Sequence, residues 1–156
     1  MRLARIAFES WEGLGLISRT PLEGFVEALE AAFELADDAR IDELIDFAYN
    51  RPSGEVLGYF DGQRLRFSAR RCARRGDDEG AVAAFEAALA RFREVGNVYW
   101  LAVASLEGGE HHLVQGRPDL ARPLLDAARA GLEQVGARPM LERLDRLDGV
   151  ATSASA

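Results

Sequence analysis

The sequence predicts an all-α fold: an α-α superhelix, right-handed, of three to four stacked antiparallel helix pairs. Three observations carry this. Alanine, leucine, glutamate and arginine dominate, and the Val/Ile/Thr alternation of strands is nowhere sustained. Gly76, Gly96, Gly116 and Gly136 recur every twenty residues, each where a helical pattern stops. The stretch GDDEGAVAAFEAALARFREVGNVYWL, from Gly76, aligns without gaps on GRPDLARPLLDAARAGLEQVGARPML, from Gly116.

Helices are predicted at about 2–17, 22–36, 39–50, 55–75, 78–95, 98–115, 118–135 and 138–148. Pro21 and Pro118 fall near helix starts, where a missing N–H costs nothing. Asp77, Asp78 and Glu79 open the helix after Gly76, against its positive dipole end. The tail GVATSASA is small and polar, so 150–156 is expected to be disordered. The rest, 1–149, is expected to form one domain. Its clearest repeats are 62–96 and 98–136, with a degenerate repeat at 22–50 and a closing helix at 138–148.

The two aligned stretches share eight identities: Gly76/Gly116, Ala81/Ala121, Ala87/Ala127, Ala88/Ala128, Ala90/Ala130, Val95/Val135, Gly96/Gly136 and Leu101/Leu141. A fainter copy lies upstream, where Ile41, Leu44, Ile45 and Ala48 match Ala81, Ala84, Phe85 and Ala88. A helix pair cannot bury its apolar face alone, so the next pair repeats the same packing chemistry. Small alanines let helices approach, and Phe85 and Leu125 take equivalent layers.

Ala69-Gly76-Ala81-Phe85-Ala88 and Gly109-Gly116-Ala121-Leu125-Ala128 are similar to the tetratricopeptide (TPR) pattern. The period departs from it, forty rather than about thirty-four. Leu65 and Ser105 stand where that family carries its early tryptophan. With YWLA, GRPDLARPLLDAAR and VGARPMLERLD, the chain over about 64–148 resembles the carboxy-terminal helical repeats of large bacterial regulators. Those proteins join such repeats to NTPase, nucleotide-cyclase or LuxR-type DNA-binding modules. The resemblance implies a regulatory or scaffolding role in signalling or transcription. It does not imply those modules' activities, because none of them is in this chain.

Composition narrows the field further. The formal charge of −7 over 156 residues argues against nucleic-acid binding, which needs a basic footprint. All nineteen basic residues are arginine. Without lysine the chain cannot supply a P-loop lysine, a pyridoxal Schiff base or a kinase strand lysine. Cys72 is the single cysteine, which fits a reducing cytoplasm and forbids an internal disulfide. The longest uncharged apolar run, NVYWLAVASL, is about half a membrane span, so no membrane partner is expected.

Arg66, Arg70 and Arg74 recur every four residues and form one stripe on a helix. Counted back from the turn glycine, the stripe falls on the face that lines the groove in tetratricopeptide proteins, as do Leu106 and Glu110. It suits an acidic peptide or carboxylate, because guanidinium forks bind carboxylates in pairs. Internal pairing is the competing reading: Glu23, Glu30 and Glu34 on the preceding inner helix, and Glu110 on the following one, share that face. Tyr99 and Trp100 are either apolar anchors for a partner or core.

Other chemistry is weakly signalled. His111 and His112, with Glu107 one turn earlier, lack the two-histidine one-turn spacing of a zinc helix, so no metal is expected. No GxSxG elbow surrounds any serine, and Gly13–Gly15 lacks the third glycine of a dinucleotide loop. Cys72 is expected to face the core beside Leu65, Ala69 and Ala73. No catalytic residue and no cofactor is expected. Ile6, Phe8, Trp11, Leu14 and Leu16 make the amino-terminal helix a candidate for self-association or for a cap on the next pair. The expected function is therefore a non-catalytic protein-interaction or regulatory module. A helical-repeat sensor of small molecules is the alternative, and an enzyme on helical hairpins is a more distant one.

Overall fold

The structure is a computed structural model; it describes residues 19–49 and 58–153, with side chains over 23–49 and 58–147. The expected helix at 2–17, its self-association and residues 154–156 lie outside the described residues. Seven α-helices are described: α1 (Arg19–Glu34), α2 (Asp38–Tyr49), α3 (Gly58–Arg74), α4 (Asp78–Glu94), α5 (Val98–Val114), α6 (Pro118–Val135) and α7 (Arg138–Ser153). The last runs to Ser153, past its expected end at 148 and into the tail read as disordered. By packing, the chain divides into two compact units, Met1–Glu55 and Val56–Ala156.

The twenty-residue glycine spacing has a direct cause. In the second unit a seventeen-residue helix and a three-residue turn make one step, as α4 and α5 show. Five turns end the same way. The amide of Asp37, Asp77, Asn97, Arg117 or Ala137 donates five residues back, to the carbonyl of Ala32, Cys72, Phe92, His112 or Leu132. The residue before each donates three back. This double bond pattern requires a left-handed residue at the bend, and Gly76, Gly96, Gly116 and Gly136 supply it with φ of 67–75°. In the first unit Ala36 holds the same place at φ 54°.

Helix starts follow the same economy. Asp37 accepts from the Arg40 amide, Asp77 from the Gly80 amide and Asn97 from the Trp100 amide, each at 2.9–3.1 Å. These caps satisfy amides that have no partner within the helix. At α6 Pro118 replaces the cap, since proline has no N–H to satisfy.

In the first unit, α1 packs on α2, burying Phe25, Leu29, Ile41 and Ile45. In the second, the closest partners are α3 with α4 and α5 with α6; α4 and α7 also touch α5. The helices α3 and α4 meet where Gly62 lies under the Phe92 ring, and α5 and α6 meet where Gly109 lies under Leu125. Phe85 and Leu125 are both buried, one on each side of α5.

Within this unit α5 is the central helix. Its residues Ala102–Gly109 are all buried. Eight residues exceed two turns of helix, so every side of α5 is covered over that length. Helix pairing in adjacent antiparallel neighbours is thus what the repeat predicted.

Candidate functional site

The sequence-predicted stripe on α3 divides by depth. Arg66 is drawn inward: its Nε and one terminal nitrogen donate to the two carboxylate oxygens of Glu107 at 2.7 and 2.6 Å. The Arg66 and Glu107 side chains are only 2% and 5% exposed. The other Arg66 nitrogen donates to Gln63 Oε1 at 3.1 Å. The guanidinium lies 4.7 Å from the Phe67 ring centre and 4.9 Å from that of Trp100. Arg66 therefore has hydrogen bonds in its plane and aromatic rings near its faces, which is how a charge survives burial.

Arg70, one turn on, reaches the same Glu107 oxygen at 3.6 Å, beyond hydrogen-bond range, and its side chain is 21% exposed. Arg74 is exposed at the end of the helix. Leu106 is fully buried among Ala121, Leu125, Ala128 and Leu144. Arg66 and Leu106 are thus out of reach of a partner docking on the surface, because α5 is enclosed at their level. Glu110 is half-buried and accepts two hydrogen bonds from Arg143 of α7, the Nε bond at 2.9 Å. Burial works against the Arg143 charge, but the bonds and charge of Glu110, with Glu107 behind it, outweigh that and hold its pKa above the ordinary arginine value.

The result is a ladder of alternating charge, Arg66 to Glu107 and Glu110 to Arg143, that ties α3, α5 and α7 side by side. Internal pairing does occur on this face: Glu107, which the spacing did not single out for it, takes Arg66, and Glu110, expected to face the stripe, binds Arg143. Tyr99 and Trp100 are half-buried, in edge contact at 4.9 Å, and both pack against core clusters.

A second polar cluster joins the start of α4, the end of α5 and the turn before α6. Asp78 accepts from Arg117, and His111 Nε2 lies 2.8 Å from the same Asp78 oxygen. The Arg117 hydrogen bond, reinforced by His111, holds the Asp78 carboxyl below its ordinary pKa despite partial desolvation. His112 is half-buried, and burial, with Arg117 and His111 close by, pushes its pKa below the ordinary histidine value. Nothing in the spacing flagged Asp78 as more than a helix-start residue.

The metal arrangement considered for Glu107 and His111 is dissolved by these pairings: one holds Arg66, the other Asp78. Among the described residues no group of three or more His, Cys, Asp or Glu is gathered for a metal ion. Cys72 is half-buried rather than sealed in the core. Burial and the neighbouring Asp77 push its thiol pKa up, which keeps it protonated and weakly nucleophilic. No described helix is long and apolar enough to cross a membrane.

No family model, curated protein or solved structure matches this chain.

Proposed function

We propose that the chain is a non-catalytic protein-interaction module, whose stacked helix pairs form a tetratricopeptide-like α-α superhelix. In this reading it works in the bacterial cytoplasm, as a segment or relative of a multidomain signalling or transcriptional regulator. Its partner is a protein or peptide rich in carboxylates, docking where the α3 stripe emerges.

The observation that supports this reading is the split in the arginine row. Glu107 takes the Arg66 charge inside, while the Arg70 side chain is 21% exposed and Arg74 is exposed. A partner carboxylate would meet guanidiniums that solvent reaches, at Arg70 and Arg74, and not the buried fork at Arg66. The Glu110–Arg143 pair, partly open to solvent, would flank the docked segment.

The test is a pull-down and a fluorescence-anisotropy titration with Asp/Glu-rich peptides, comparing the natural chain with Arg74→Glu and with an Arg70→Ala/Arg74→Ala variant. Both variants should keep the helical circular dichroism and lose at least about tenfold in affinity, as removal of one or two charged hydrogen-bonding groups does. Unchanged affinity in folded variants would remove the arginine stripe from the binding site. No binding by the natural chain would remove the acidic partner.

A further inference from the structure

We propose that the corner joining α4, α5 and α6 is an acid-sensitive latch, in which protonation of His112 beside Arg117 and His111 loosens the α5–α6 turn. The α5–α6 turn is fastened by backbone bonds from Arg117 to His112 and from Gly116 to Leu113, and by Asp78, which holds both His111 and Arg117. His112 sits at the hinge of that arrangement. Its Nδ1 is buried and makes no hydrogen bond, and so is the Nε of Arg117.

A neutral imidazole tolerates this place: Nδ1 then carries only an unmet lone pair. Protonation turns Nδ1 into a buried donor without an acceptor and adds a positive charge next to others. The groups that act on His112 come from each neighbouring element. Arg117 in the turn and His111 on α5, its ring 6.0 Å away, oppose the added charge. Asp78 and Glu86 of α4 favour it, but Asp78 is already engaged by Arg117 and His111. Burial, with Arg117 and His111 close by, outweighs the acids, so the pKa lies below its ordinary value of 6.5.

The direction follows from linkage. A histidine depressed in the folded state contributes fully above its unfolded pKa, and that contribution falls as the pH drops from there toward the folded pKa. The loss is expected in the turn at the end of α5, while the Arg66–Glu107 fork, anchored on α3 and more than one turn further back in α5, stays closed.

Amide hydrogen exchange of the full chain at about pH 7.5 and about pH 5.5, corrected for intrinsic rates, tests this. Peptides spanning 110–122 should open more at the lower pH, by up to about tenfold per unit of pKa depression, while α3 stays equally protected. In His112→Gln the acid-dependent gain should vanish. An equal gain in His112→Gln, or no gain in the natural chain, overturns the latch. An NMR titration of the imidazole protons in the natural chain keeps the test independent of that variant's folding: His112 must titrate below His in a short unstructured peptide, and titration at or above that value overturns the proposal.

Discussion

Arg66 donates two hydrogen bonds to Glu107, forty-one residues away in the chain, where both side chains are almost sealed from water. The geometry is a parallel fork, with Gln63 on the remaining nitrogen and Phe67 and Trp100 against the guanidinium. Breaking one half should cost far more than replacing both. Glu107→Ala leaves a buried guanidinium uncompensated and is expected to lose about 3–5 kcal/mol, whereas Arg66→Met with Glu107→Leu should come out near neutral. A double-mutant cycle by urea denaturation measures this. A loss under about 1 kcal/mol in Glu107→Ala would mean that water reaches the pair.

Two glycines at helix crossings, Gly62 and Gly109, are predicted to resist the substitution that normally favours helices. A Cβ on Gly62 would lie 2.5 Å from Phe92, whose ring is fully buried and cannot yield. A Cβ on Gly109 would lie 2.5 Å from Leu125 and 3.5 Å from the Ala121 carbonyl. Gly62→Ala and Gly109→Ala should each destabilise by about 1–3 kcal/mol, despite alanine's helix preference. Gly24, inside α1, has nothing within 4 Å of its Cβ direction. There Gly24→Ala should stabilise by about 0.5–1 kcal/mol. The same sign at all three sites, read by thermal melting, would refute the packing account.

Ala36 is the one described residue that keeps a side chain in the left-handed bend that glycine otherwise fills. It lies forty residues before Gly76 and makes the same two turn bonds. An L side chain there costs roughly 1–2 kcal/mol, and glycine recovers most of it while adding unfolded-state entropy. Ala36→Gly should therefore strengthen the first unit by up to about 1 kcal/mol, and Gly116→Ala should weaken the second by a similar amount. Slower exchange of the α1 and α2 amides in Ala36→Gly is the readout. Faster exchange would mean the entropy term wins.

Much of this was legible in the residues. The glycine interval and the alignment of Gly76 on Gly116 gave the helix bounds and the pairing of neighbours, because turn chemistry is local and repeats print it several times. What the spacing hid was depth. Arg66, Arg70 and Arg74 lie on one helix stripe, yet one is buried, one half-buried and one exposed, since depth depends on how closely α3 and α5 approach. A signal existed in α5 itself. VYWLAVASLEGGE carries only two charges and no polar stripe, the composition of a helix covered on all sides. Read that way, Glu107 is a buried carboxylate that needs a cation, and Arg66 is the inward one. The Asp78 corner was harder to see, because its members come from a helix start, a helix end and a turn, with no common periodicity.

Asp78 gives a pH prediction with a definite sign. Its folded pKa lies below the ordinary 3.8, held down chiefly by the Arg117 hydrogen bond. A carboxylate depressed in this way contributes stability that is present above the unfolded pKa and disappears as the pH falls through the folded value. Asp78→Asn cannot carry that charge at any pH. The variant should melt lower than the natural chain near neutrality, and the gap should close as the pH drops below 3.8. Two parallel melting-temperature curves across that range would show that Asp78 contributes only its helix-start geometry. A closing gap would show that the charge itself binds the start of α4 to the α5–α6 turn, through Arg117 and His111 together.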